Sequence, residues 1–422
     1  MTNPSTLSAT EAARRIRSGT LRAEELMEDC IERIDARESE VRAFTWFSAD
    51  QARYAARAAQ DGPLRGLPVG VKDVLDTEDM PSEYGSPIWN AWQPRADAAA
   101  VAWARRAGAV VIGKTVTTEF ATRRPGPTAN PANPAHTPGG SSSGSAAGVA
   151  AGFFPLAFGT QTAGSIIRPA AFCGVVGYKP SYGTISRIGM KIMSDSLDTV
   201  GVMAGTVADC ALFAGAVSGR DLGDPDEALD RAPRIGICRS PTWYAAAEET
   251  HALLDQVIAA VAKAGAAVSD IDLPEIYSRL IDAHPIIMNV ESARALGWEL
   301  ANHADLLSDD LRARMEFGLQ QTPDDLDNAY AVFDATQRGF PETMGEVDVL
   351  LTPSAPGEAP EGLGWTGDPC FNFIWTSLRV PCVTVPAGSG PRGLPLGIQI
   401  VGRRGEDRAA LAWARWVQAA LG

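Results

Sequence analysis

The stretch Ala104-Arg105-Arg106-Ala107-Gly108-Ala109-Val110-Val111-Ile112-Gly113-Lys114 decides the fold class. A helical pattern from about Asp97 to Ala107 stops at a glycine, and a run of β-branched residues follows. Helix, glycine and buried strand form the repeating unit of a parallel or mixed α/β sheet. Gly66-Leu67-Pro68-Val69-Gly70-Val71-Lys72-Asp73 and Phe153 to Phe158 read as further strands, with Lys72 at the end of the first. Strands return at 347–352, 381–386 and 396–401, before a closing helix over 409–421.

Outward from this core, residues 1–60 form an N-terminal helical segment. Two helices are expected between Ser8 and Ala36, broken at Ser18-Gly19-Thr20, and an Ala-rich helix follows near Asp50 to Gln60. The chain changes character at about residue 232: charge rises, glycine falls and helical periodicity dominates. A single domain over 1–422 is expected, with its core at about 60–210 and 340–422 and a helical insert or cap at about 232–330.

The composition narrows the function. The 422 residues are 45% hydrophobic and carry a net charge of -14, which repels phosphate backbones and argues against nucleic acid as a direct partner. No stretch of eighteen apolar residues occurs and the first residues lack an apolar signal segment, so a cytoplasmic protein with no membrane partner is expected. Cys30, Cys173, Cys210, Cys238, Cys370 and Cys382 lie far apart and read as reduced, buried thiols. The four histidines match no zinc pattern, and neither a metal nor another cofactor is expected.

Three features carry chemistry: Lys72 on a buried strand, the Gly139-Gly140-Ser141-Ser142-Ser143-Gly144-Ser145 run, and Ser165 within Thr162-Ala163-Gly164-Ser165-Ile166-Ile167-Arg168-Pro169. A Gly/Ser run is usually a linker. Here buried elements flank it, and two small-residue loops can converge at one sheet edge with backbone N–H groups facing a ligand.

Together with Gly70-Val71-Lys72-Asp73, Gly159-Thr160-Gln161 and the run from Ala171 to Ser181, these motifs resemble the amidase signature family over nearly the whole chain. The resemblance implies one large domain: a central twisted mixed β-sheet of many strands, covered by helices on both faces. It also implies amide C–N hydrolysis by a Ser–cisSer–Lys triad, with Ser165 as nucleophile, Ser141 as bridging serine and Lys72 as base. A serine hydroxyl needs a base, and a lysine can be one only when neutral, which burial favours. Thr162, Ala163, Gly164 and Ser165 would supply the oxyanion hole. Arg168 would take a substrate carboxylate in bidentate fashion, favouring a small monocarboxylated amide such as malonamate. The family often has Asp where Gln161 stands and Gly where Ala163 stands.

Other residues have plainer readings. Ser142, Ser143 and Ser145 are expected to hydrogen-bond the loop, Asp198 to be structural, and His136 to be exposed rather than catalytic. Trp365, Phe371 and Trp375 are candidates for the acyl pocket. Rival functions remain: a neutral aryl or aliphatic amide, ester or carbamate hydrolase, or the amidase subunit of a tRNA-dependent amidotransferase. An α/β-hydrolase reading of Gly140-Ser141-Ser142-Ser143-Gly144 needs a preceding strand, which the Pro/Asn-rich segment 130–138 opposes. A non-catalytic binding protein is the last alternative. The expected partner is a small-molecule amide, with a homodimer as a further expectation.

Overall fold

In the computed structural model, which describes residues 3–422, the buried apolar runs join into one mixed sheet of eleven strands. In chain order these are β1 (Phe44–Phe47), β2 (Pro68–Lys72), β3 (Val110–Thr115), β4 (Leu156–Gln161), β5 (Val176–Lys179) and β6 (Thr199–Ala204). They continue with β7 (Arg234–Ile237), β8 (Ala267–Asp270), β9 (Val349–Pro353), β10 (Cys382–Ser389) and β11 (Pro395–Val401). The spatial order is β1-β3-β2-β4-β6-β5-β10-β11-β9-β7-β8. Fourteen α-helices among the described residues cover it, so the expected α/β class is observed.

The parallel pairs β2·β3 and β2·β4 bring Lys72 to the end of a fully buried strand. Strand β4 also pairs antiparallel with β6, from Leu156↔Ala204 to Gln161↔Thr199. The loop after Gln161 therefore leaves the sheet on the side of the β2 C-terminus.

Two differences from the sequence reading stand out. Strand β1 lies within the N-terminal segment read as helical, where Phe44 packs with the rings of Phe47, Phe153 and Phe154 at the sheet edge. The expected helical insert at 232–330 begins with β7 and β8, which extend the sheet from β9. These strands are four residues each, too short to outweigh the surrounding helical periodicity. The helices Asp309–Gln320 and Pro323–Met344 both pack on Leu280–Ala295, the second over a core that includes Ile287, Phe333 and Trp375, the first over a smaller one that includes Leu296, Leu311 and Met315.

The helix Ser143–Ala151 explains why the Gly/Ser run is not a linker. It is buried on all sides, since nearly every residue from Ser143 to Ala151 is inaccessible. Small side chains let it approach the backbone closely. A Cβ on Gly144 would lie 2.1 Å from the Ala43 carbonyl oxygen and 2.4 Å from the Val116 nitrogen. Gly144→Ala should therefore cost about 3 kcal/mol or more through overpacking against fixed backbone. Gly297→Ala, where a Cβ meets nothing within 4 Å, should be nearly neutral. Equal denaturation midpoints for the two variants would contradict this account.

Candidate active site

Lys72 is wholly buried, and no ion pair among the described residues engages it. Its Nζ lies 2.7 Å from Ser141 Oγ and 2.7 Å from Thr160 Oγ1, with the Thr160 carbonyl at 3.4 Å. Burial drives its pKa well below the ordinary lysine value, while the negative charge of Asp198 pulls weakly the other way. A neutral amine at this position has N–H groups for Thr160 and a lone pair for the Ser141 hydroxyl.

Ser141 follows a cis Gly140–Ser141 peptide bond, as the resemblance implied. The neighbouring serines act as expected. Ser142 Oγ accepts from Thr160 N–H at 3.2 Å, Ser143 Oγ donates to the Val116 carbonyl, and Ser145 Oγ donates to the Phe158 carbonyl at 2.7 Å. These bonds tie the loop to β4 and to the end of β3, on either side of the strand that carries Lys72 (β2).

The second loop meets the first. Ser142 N–H donates to the Ser165 carbonyl at 3.4 Å. The Ser165 hydroxyl makes no hydrogen bond to another described residue and faces a cavity of about 560 Å³. Thr162, Ala163 and Arg168 line the same cavity. The amides of Ala163, Gly164 and Ser165 donate to no backbone carbonyl among the described residues, which leaves them free for a ligand oxygen.

Several buried groups hold this loop in place. Gln161 Oε1 accepts from the amides of Ile166 at 2.9 Å and Ile167 at 3.0 Å. Its Nε2 donates to Thr376 Oγ1 at 3.0 Å, and Thr376 Oγ1 donates to the Ala163 carbonyl at 2.8 Å. His284 Nε2 donates to the Thr162 carbonyl at 3.0 Å, and burial lowers its pKa to about 4, so the ring is neutral at pH 7. Asp198 accepts from Thr162 Oγ1 at 2.5 Å and from the amides of Met193 at 2.8 Å and Ser194 at 3.0 Å, a structural role. Sequence reasoning gave no site role to Thr160, His284 or Thr376. Thr160, on the strand leading into the Ser165 loop, was the most accessible of these, because a buried lysine needs acceptors.

Arg168 is buried and partly engaged. Its Nε donates to the Thr366 carbonyl at 2.8 Å and one Nη2 hydrogen to the Gly140 carbonyl at 2.7 Å, whereas Nη1 has no partner. Burial lowers its pKa to about 10, which leaves it charged at neutral pH. The expected bidentate fork is thus already taken up by backbone carbonyls on its Nε/Nη2 edge, and Nη1 alone lacks a partner and is itself buried. His136, expected to be exposed, is buried: the segment 359–362 covers it and its Nδ1 lies 2.8 Å from the Ala359 carbonyl. Of the three aromatic candidates, Trp365 lines the cavity, while Phe371 and Trp375 are packed in the core; Phe373 lines it instead. The six cysteines are buried free thiols.

The Amidase family model matches residues 25–411. The chain belongs to the amidase signature family. It is an amide-hydrolysing enzyme. A glutamyl-tRNA(Gln) amidotransferase subunit of Halothermothrix orenii is 32% identical, over 96% of this chain and 95% of that protein. A crystal structure of an amidase superposes with a TM-score of 0.90 at 30% identity, covering 99% of this chain and 100% of the other. The substrate complex of 6-aminohexanoate cyclic dimer hydrolase gives a TM-score of 0.87 at 25% identity, covering 100% and 98%. No helix among the described residues is long and apolar enough to cross a membrane.

The clamp on the Ser165 loop is testable. Thr376→Val removes the bond to the Ala163 carbonyl and the acceptor for Gln161, each worth about 1 kcal/mol. Turnover should fall roughly tenfold, with kcat affected more than KM. A change confined to KM would contradict a role in placing the loop.

Proposed function

We propose that this amidase cleaves its substrate through an acyl-enzyme on Ser165, with Ser141 and Lys72 as the proton relay. The observation that carries this reading is the Lys72–Ser141 contact of 2.7 Å, made by a lysine that has no carboxylate partner among the described residues and ends beside the loop that exposes Ser165. Lys72 takes the Ser141 proton as Ser141 takes that of Ser165. Ser165 Oγ attacks the amide carbon, and the amides from Thr162 to Ser165 stabilise the oxyanion, at a few kcal/mol per donor. The proton returns through Ser141 to the nitrogen, the C–N bond breaks, and ammonia or an amine leaves. Water then attacks the acyl ester by the same route and regenerates Ser165.

Arg168, which lines the cavity and stays charged at neutral pH, supports a substrate with a carboxylate. Malonamate is one such amide, and His284-Pro285-Ile286-Ile287 and Thr366-Gly367-Asp368-Pro369 add to a likeness to malonamidase. The similarity to the amidotransferase protein supports a second reading at least as well: an amidase subunit that releases ammonia for use within a complex. The net charge of -14 opposes direct contact with RNA but leaves a protein partner open. The purified chain should hydrolyse carboxylated amides without partners if the first reading holds. Turnover that appears only with added amidotransferase components favours the second. Neutral amides, esters and carbamates belong in the same panel, since they use the same chemistry.

Two outcomes test the roles. Ser165→Ala and Lys72→Met should each lower kcat by several orders of magnitude, and Ser165→Ala should abolish labelling by a fluorophosphonate. A Lys72 variant within tenfold of the parent would reveal another base. Since Lys72 acts as the neutral amine, activity rises as its proton leaves and then stays level. With its pKa lowered, the plateau is reached well before pH 10. A rate still climbing through pH 10 would mean that Lys72 titrates as an ordinary lysine. In relative rate, Arg168→Ala should disfavour carboxylated over neutral amides; an unchanged ratio would remove the carboxylate assignment.

A further inference from the structure

The cavity beside Ser165 is larger than a three-carbon amide requires. Its volume of about 560 Å³ falls in the range that accommodates drug-sized ligands. Exposure increases along its wall: Arg168 is 5% exposed, whereas Phe317 and Trp365 are 41% and 53% exposed and mark the mouth.

Two further arginines, Arg123 and Arg314, line this cavity. Arg123 is exposed and has no hydrogen-bond or ion-pair partner among the described residues. Arg314 is half-buried, and its Nε pairs with Asp310 Oδ2 at 2.8 Å, leaving its terminal nitrogens unengaged among the described residues. Asp310 and Asp368 are the carboxylates on the wall, and Asp368 also accepts the Cys370 amide at 2.9 Å. Three guanidiniums thus face two carboxylates in a chain whose net charge is -14. Burial lowers the pKa of Arg314, and the charge of Arg123 adds to that effect; at Arg168 burial also lowers it, and the Asp368 carboxylate outweighs Arg123. An anion between Arg123 and Arg314 would relieve their repulsion.

We infer that the cavity binds amides bearing two anionic groups, one at Arg168 and the other at Arg123 and Arg314 near the mouth, with the scissile bond between them. The inference rests on the proposed reading of Ser165 and Arg168, and extends the substrate class from a monocarboxylated amide to a longer dianionic one. Guanidinium suits this task because it stays charged and presents a planar set of donors to a carboxylate. The apolar part of the cavity lining, including Met288, Leu311 and Phe373, suits an aliphatic or aryl spacer.

Protection of Ser165 from fluorophosphonate labelling tests this without knowledge of the natural substrate. The probes are straight-chain dicarboxylates of increasing length and monocarboxylates of matched length, at constant ionic strength. Longer dicarboxylates should protect at concentrations at least tenfold lower than their monocarboxylate counterparts. That preference should collapse in Arg123→Gln, a variant of an exposed side chain, and again in Arg314→Gln. Equal protection by both series, or a preference that survives both substitutions, overturns the second anionic subsite. Monocarboxylate protection that is unchanged in Arg168→Ala overturns the first. Failure of the untreated enzyme to label at Ser165 overturns the serine-amidase reading, and the subsites with it.

Discussion

The site depends on one buried amine. Lys72 sits at the end of β2 with no carboxylate partner among the described residues, 2.7 Å from the Ser141 hydroxyl. Holding a full positive charge there would cost several kcal/mol of lost solvation. The fold avoids that cost by favouring the neutral form, and on the proposed reading the lack of a carboxylate partner is what suits the amine to accept a proton. The small-residue helix behind Ser141 belongs to the same arrangement: only Gly, Ala and Ser side chains let the loop approach β3 and β4 closely enough to reach the amine.

The contrast with two neighbouring lysines sharpens the point. Lys114, on β3, is equally buried but pairs with Asp73 at 3.0 Å and donates to the Leu75 carbonyl at 2.9 Å. Lys179, on β5, donates to the Pro180 and Val380 carbonyls. Lys114 is fully occupied by structural acceptors, and Lys179 meets only backbone carbonyls. Of these three, Lys72 alone meets a serine hydroxyl next to the loop that opens into the cavity.

The loop carrying Ser165 is held by neutral or structural groups. Gln161 holds the amides of Ile166 and Ile167 without placing a carboxylate beside Lys72, and through Thr376 it also reaches the Ala163 carbonyl. His284 is neutral and holds the Thr162 carbonyl. Charge is concentrated on the arginines of the cavity wall, where a substrate would meet it. On the proposed reading, the base and the binding groups thus have different electrostatic surroundings, the one kept neutral by burial and the others charged on the cavity wall.

Much of this was legible in the sequence. Short β-branched runs after glycines identified the strands that carry Lys72 and Lys114, because burial on both faces leaves a nearly continuous apolar run. The Gly/Ser motifs and Ser165 were visible as motifs, since close backbone approach admits only small residues. Strands β7 and β8 were hidden within helical periodicity, and β1 within the N-terminal segment read as helical. Tertiary structure alone decided that Lys72 also meets the Thr160 hydroxyl, that His136 is covered by residues 359–362, and that Arg168 has one nitrogen left over. The physical reason is the same in each case. A sequence states which groups a residue can offer, but hydrogen-bond partners come from distant segments, and only packing determines which offers are taken up.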